Sequence, residues 1–151
     1  MVPTKPRILP PVYLLASLLL MVLLHYFAPI VQLISPPFSY AGIVFVVIGI
    51  AITAVSAGAF IKAETPLVPF TKSTVVVTTG LFRYSRNPMY LGMVIALLGV
   101  AMLLGSIGSF VPIPVFVGII HNLFIRREEI FLEDIFGDEY LAYRTTVRRW
   151  L

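Results

Sequence analysis

Two short stretches hold most of the side chains capable of chemistry. The first, GLFRYSRNPMYLG from Gly80 to Gly92, sets Arg83, Arg86 and Asn87 directly before a long apolar run. The second, HNLFIRREE, closes an apolar run with His121, Asn122, Arg126, Arg127, Glu128 and Glu129. Cations, carboxylates and amides grouped in this way suit a zwitterionic ligand, because each charge on such a ligand meets its opposite. Plainer readings also exist. Asn87 is a good N-cap, Pro88 fits the first helical position, and arginine at a membrane edge keeps its head in water while its stem lies in lipid. His121 and Asn122 are harder to dismiss, since polar groups at membrane depth need partners. Helical spacing sets Asn122, Arg126 and Glu129 within one or two turns on neighbouring angles, so the two stretches together describe a polar pocket at the mouth of a helix bundle.

Other chemistries are excluded or unsupported. The chain has no cysteine, which removes disulfides, thiolate nucleophiles and Cys-based metal sites. Its two histidines, His25 and His121, fall in different apolar segments without H-E-x-x-H spacing, so no metal site is expected and His25 is read as structural. Phosphate-cradling motifs of the G-x-x-x-x-G-K-[ST] or G-x-G-x-x-G type are missing as well. A net charge of +4 calls for no nucleic acid, because basic residues beside membrane helices are drawn to anionic headgroups.

The elements that must position these residues are membrane helices. With 59% hydrophobic and 12% charged residues and a mean hydropathy of +0.98, the chain cannot cover a water-soluble globule. Four apolar segments follow: about Ile8 to Ile34, Tyr40 to Ile61, Pro88 to Leu104, and Phe110 to Ile125. The first is longer than a signal-peptide core and shows no small-x-small cleavage site, so it reads as a retained helix. The last two form a tight hairpin turned by GSIGS, with Pro112 and Pro114 in the first turn of the fourth. If all four cross, every lysine and arginine falls on one side, which the positive-inside bias assigns to the cytoplasm. Between the second and third segments, STVVVTT is an extended strip ending at a glycine turn. After Arg126, Phe131, Leu132, Ile135 and Phe136 recur at helical spacing. Gly137 ends that helix and Asp138 caps another. The expected fold is therefore all-α: a multi-pass membrane helix bundle in one domain over residues 1–151, with cytoplasmic amphipathic helices after it.

The order of motifs resembles the isoprenylcysteine carboxyl methyltransferase and phospholipid methyltransferase family of integral membrane enzymes. The likeness lies in R-N-P-x-Y-x-G, the paired glutamates, and F-G-x-E-Y, and covers about Thr71 to Trp150. It implies transfer of a methyl group from S-adenosylmethionine, held in a cytoplasm-facing pocket, to a lipophilic acceptor such as a prenylcysteine-like carboxylate or a lipid amine. Carried over residue by residue, it implies that Thr74, Val75, Val76 and Val77 line the cofactor with Phe82. Asn87, Pro88, Met89, Tyr90 and Glu128 would touch it. Glu128 would accept from the ammonium or ribose hydroxyls, Arg83 or Arg86 would pair with the carboxylate, and Arg86 and Glu128 are taken as the catalytic pair. Arg126 and Arg127 are the candidates for substrate binding. Two positions depart from the family: Asn87 stands where histidine is common, and Phe124 stands where the isoprenylcysteine branch has an arginine. The alternative is a non-enzymatic membrane scaffold or assembly subunit whose polar clusters only anchor helix ends. Glycine-bearing faces permit self-association without selecting a stoichiometry.

Overall fold

The computed structural model describes residues 8–66 and 75–151. Those residues are all-helical, with no strand beyond one isolated bridge between Gln32 and Ser106. Helix α1 spans Pro10–Phe27, α2 Ala41–Lys62 and α3 Pro88–Leu104. A longer run from Ile107 to Phe136 comprises α4 Ile107–Phe110, α5 Pro112–Ile120, a π turn His121–Ile125 and α6 Arg126–Phe136. Helix α7, Asp138–Thr146, follows. Three of these runs are long and apolar enough to cross a membrane: α1, the run Phe38–Lys62 that contains α2, and Ile107–Phe136. Helix α3, with 17 residues, is about 26 Å long at 1.5 Å per residue, close to the hydrocarbon thickness.

Local sequence explains most of these boundaries. Pro88 at the first position and Gly105 in the left-handed conformation, φ +75°, bracket α3. Helix α1 stops at Phe27, short of the expected Ile34, because Pro29 cannot continue it. The freed segment serves the α3–α4 turn instead. Leu33 and Ile34 donate to the Gly105 carbonyl at 2.8 and 3.1 Å, Ile107 donates to the Val31 carbonyl at 2.9 Å, and Gln32 Nε2 donates to the Leu104 carbonyl at 3.2 Å. His25 Nδ1 lies 3.0 Å from Ser106 Oγ. The turn's polar groups are thus satisfied within the protein, as a lipid surrounding requires.

The fourth apolar segment differs from expectation in both directions. It is preceded by the short helix α4 from Ile107, while Pro112 opens α5 as expected, and it does not stop at Ile125. The π turn joins it directly to the charged helix α6. A run of 30 residues is about 45 Å long against roughly 30 Å of hydrocarbon, so its charged end projects beyond the apolar layer. Gly137, at φ +50°, then turns the chain into α7. Asp138 is the first residue of α7, not its cap, and makes no capping hydrogen bond.

Helix α3 is central. Tyr90, Met93, Leu97 and Ala101 on one side pack with Met21 of α1 and with Phe116, Ile120, Phe124 and Ile125 of the last run. Its other side meets α2 at backbone distance: a Cβ on Gly99 would lie 2.5 Å from the Gly42 carbonyl oxygen, and one on Gly49 2.5 Å from that of Gly92. Small residues let two helices approach so closely where lipid supplies no hydrophobic drive. Outward-facing Leu15, Leu19, Val47 and Ile50 are exposed, a surface suited to lipid.

Candidate functional site

A cleft opens where the start of α3, the strip before it, α6 and α7 converge. It contains about 900 Å³ of empty space, its mouth included. Val75, Val76, Val77 and Phe82 form one wall; Asn87, Pro88, Met89 and Tyr90 form the floor. Ile125, Glu128, Glu129, Phe131 and Leu132 face them, with Tyr140 and Tyr143 of α7 alongside. The two polar stretches of the sequence therefore line one cleft.

The strip and the turn Gly80–Arg83 are held from both sides. Phe60 of α2 meets Phe82 edge to face, with ring centres 5.4 Å apart, and the Tyr143 hydroxyl donates to the Phe82 carbonyl at 2.7 Å. Asn87 occupies the N-cap position but does not cap: its side-chain amide donates to the Arg149 carbonyl at 2.9 Å, while its own N–H donates to Ser85 Oγ at 3.1 Å. The segment after α7 thus lies along the start of α3, an arrangement reinforced by the Arg86 N–H donating to the Arg148 carbonyl at 2.9 Å.

Arg86 is nearly buried. Its Nη1 lies 3.1 Å from Glu129 Oε1 and donates to the Tyr140 hydroxyl at 3.4 Å, whereas its Nε is buried without a hydrogen-bond partner. Arg149 grips the same glutamate through two bonds, Nε to Oε1 at 2.9 Å and Nη2 to Oε2 at 2.6 Å. Glu128 pairs differently. It neighbours Tyr90 in the cleft lining, and among the described residues no arginine or lysine forms a salt bridge with it. Burial, reinforced by the charge of Glu129, raises the pKa of Tyr140. Burial and the neighbouring Tyr140 do the same for Tyr143. Both hydroxyls therefore stay protonated at neutral pH and can donate. The Glu129 hydrogen bonds raise Arg149 further.

Of the residues singled out in the sequence, Val75, Val76, Val77, Phe82, Arg86, Asn87, Pro88, Met89, Tyr90 and Glu128 all border the cleft. Thr74 lies outside the described residues. Arg126 and Arg127 are not in the lining; Arg126 is exposed and Arg127 half-buried. Of Asn122, Arg126 and Glu129, only Glu129 borders the cleft. Asn122 is exposed and bonds back to the Gly118 carbonyl at 2.8 Å, Arg126 points outward, and Glu129 is only 7% exposed. Phe124 is fully buried and meets Tyr13 edge to face at 5.7 Å. Sequence reasoning missed Phe60, Tyr140, Tyr143 and Arg149. The i, i+3 spacing of the tyrosines was a usable signal; nothing local marked Phe60 or Arg149. Among the described residues, no group of three or more His, Asp or Glu side chains is placed to hold a metal ion.

The phospholipid methyltransferase family profile matches residues 38–139, which takes in α2 as well as most of the motif-bearing part. A protein-S-isoprenylcysteine O-methyltransferase of Schizosaccharomyces pombe is 39% identical over 79 residues, 50% of this chain and 32% of that protein. The chain thus spans about a third of the fission-yeast enzyme. An uncharacterized protein of Haemophilus influenzae is 41% identical over 63 residues, 42% of this chain and the full length of that protein. No solved structure matches.

Proposed function

Because the chain belongs to the phospholipid methyltransferase family, we propose that it is a membrane methyltransferase taking its methyl group from S-adenosylmethionine and passing it to a lipophilic acceptor. The observation that supports this most is the shared cleft: Asn87 to Tyr90 and Glu128, distant in the chain, line the same hollow.

The residues present fit the donor. The orphaned Arg86 Nε–H would hold a carboxylate oxygen, Glu128 would face cationic or hydroxyl groups, and Phe60, Phe82 and Tyr143 offer aromatic faces for a purine ring. Bound there, S-adenosylmethionine supplies an electrophilic methyl group on a sulfonium. The protein's part is chiefly to orient the reactants and to exclude water, and the apolar strip Val75 to Val77 serves the second purpose.

Of the two acceptor classes, a lipid amine is better supported than a carboxylate. Phe124 is locked in the core and, among the described residues, Arg86 is the only arginine in the cleft lining, with Arg149 beside it already engaged by Glu129, so an acceptor carboxylate would have to compete for cations already in use. Glu128 is placed to attract an amine and to take its proton. Arg126 and Arg127 then serve anionic headgroups at the membrane edge. A reading with four crossings, α3 being the short one, and the charge distribution along the chain support a cleft on the cytoplasmic side. The extent of the family match supports one catalytic domain.

The test is methyl transfer from isotope-labelled S-adenosylmethionine into lipid by the purified protein in mixed micelles. Label recovered in an amine headgroup, and lost with Glu128→Gln, supports the reading. No transfer to any lipid or prenylcysteine analogue counts against it.

A further inference from the structure

Glu129 answers two arginines at once, and they hold it unequally. Arg149 takes it in a fork, Nε to Oε1 and Nη2 to Oε2 at 2.9 and 2.6 Å, while Arg86 reaches Oε1 through Nη1 alone at 3.1 Å. A carboxylate offers one edge to a parallel pair of guanidinium donors, and here Arg149 has that edge. Arg86 keeps a buried Nε–H with no partner, on a side chain that is 9% exposed and borders the cleft. A buried donor left unmatched is costly, and native structures retain few of them. Charge points the same way, since two guanidinium groups share one carboxylate and one positive charge is left over. The backbone carrying Arg149 is fixed as well: its carbonyl accepts from Asn87 Nδ2 at 2.9 Å and from Ser85 Oγ at 3.4 Å.

We infer that Arg149 is a positioning residue: by keeping Glu129 in its own fork, it stops that carboxylate from closing side-on over Arg86 and so reserves the Arg86 Nε–H for a carboxylate oxygen of a ligand in the cleft. The identity of that ligand rests on the methyl-donor reading above. The positioning rests on geometry alone.

Arg149→Lys tests both parts, because lysine keeps the charge and loses the fork. The full chain in detergent micelles is titrated calorimetrically with S-adenosylhomocysteine, and the ¹⁵N-edited signal of the Arg86 Nε–H, identified by its loss in Arg86→Lys, is recorded without ligand. Binding is expected to weaken by about tenfold, the worth of one charge-assisted hydrogen bond. The Arg86 signal moves downfield as Glu129 bonds to it. Arg86→Lys with Arg149→Lys binds no more weakly than Arg86→Lys alone, since both act through one donor. An unmoved Arg86 signal, or losses that multiply in the double variant, would overturn the inference and leave Arg149 a purely structural residue. If the parent protein does not bind S-adenosylhomocysteine yet the Arg86 signal still moves in Arg149→Lys, the positioning stands and the donor reading falls. Arg149→Gln, which keeps an amide donor without the charge, is read by the same signal should the lysine variant fail to fold.

Discussion

The side-chain amide of Asn87 donates to the carbonyl of Arg149 across 2.9 Å, so the residue that opens α3 is tied to the segment after α7 and not to its own helix. Asn87→Asp removes the donor and sets a carboxylate against a carbonyl oxygen. We expect a loss of about 1–3 kcal/mol, read as a lower unfolding temperature in detergent. Asn87→His, the residue common at this place in the family signature, keeps a ring N–H and should lose clearly less. Equal losses in the two variants would show that the bond to Arg149 does not matter.

The approach of α2 to α3 depends on the absence of side chains. A Cβ on Gly99 would meet the Gly42 carbonyl oxygen at 2.5 Å and the Val46 nitrogen at 2.6 Å, whereas one on Gly58 meets nothing within 4 Å. Gly99→Ala should therefore destabilise by about 1–3 kcal/mol through overpacking. It should also weaken ligand binding, because α2 carries Phe60 into the cleft wall. Gly58→Ala should leave the unfolding temperature unchanged or slightly raised. Similar behaviour of the two variants would contradict the packing.

Much of this arrangement was legible in the sequence, for identifiable reasons. Helix α3 runs from Pro88 to Leu104 as expected, because a proline at its first position and a glycine after its end are strong local stops. Gly137 turned the chain as expected, for the same kind of reason. Apolar composition alone misjudged α1, since Ala28 to Ile34 are as hydrophobic as a helix but irregular, and their backbone groups serve the Gly105 turn. The π turn was invisible, because one added residue leaves hydrophobic spacing almost unchanged. Arg149 was out of reach for another reason: its role exists only once α7 brings it 2.9 Å from a glutamate twenty residues earlier.

The acceptor class has a pH signature. An amine must lose its proton before attack, so turnover on an amine headgroup should rise by about tenfold per pH unit below the amine pKa, near 10 for a lysine-like amine. A carboxylate, ionised above about pH 4, would give a flat profile between pH 6 and 8. We expect the rising profile, measured as initial rate of label transfer at saturating donor. A flat one would reassign the acceptor to a carboxylate.

The central claim is that the cleft between the start of α3 and α6 binds a sulfonium nucleoside. Calorimetric titration of the detergent-purified protein with S-adenosylhomocysteine addresses it without any acceptor. We expect saturable one-site binding, weakened by about tenfold or more in Glu128→Gln and in Tyr90→Phe, since each changes a polar group that lines the cleft. No heat of binding at millimolar ligand, or binding indifferent to both substitutions, would contradict it.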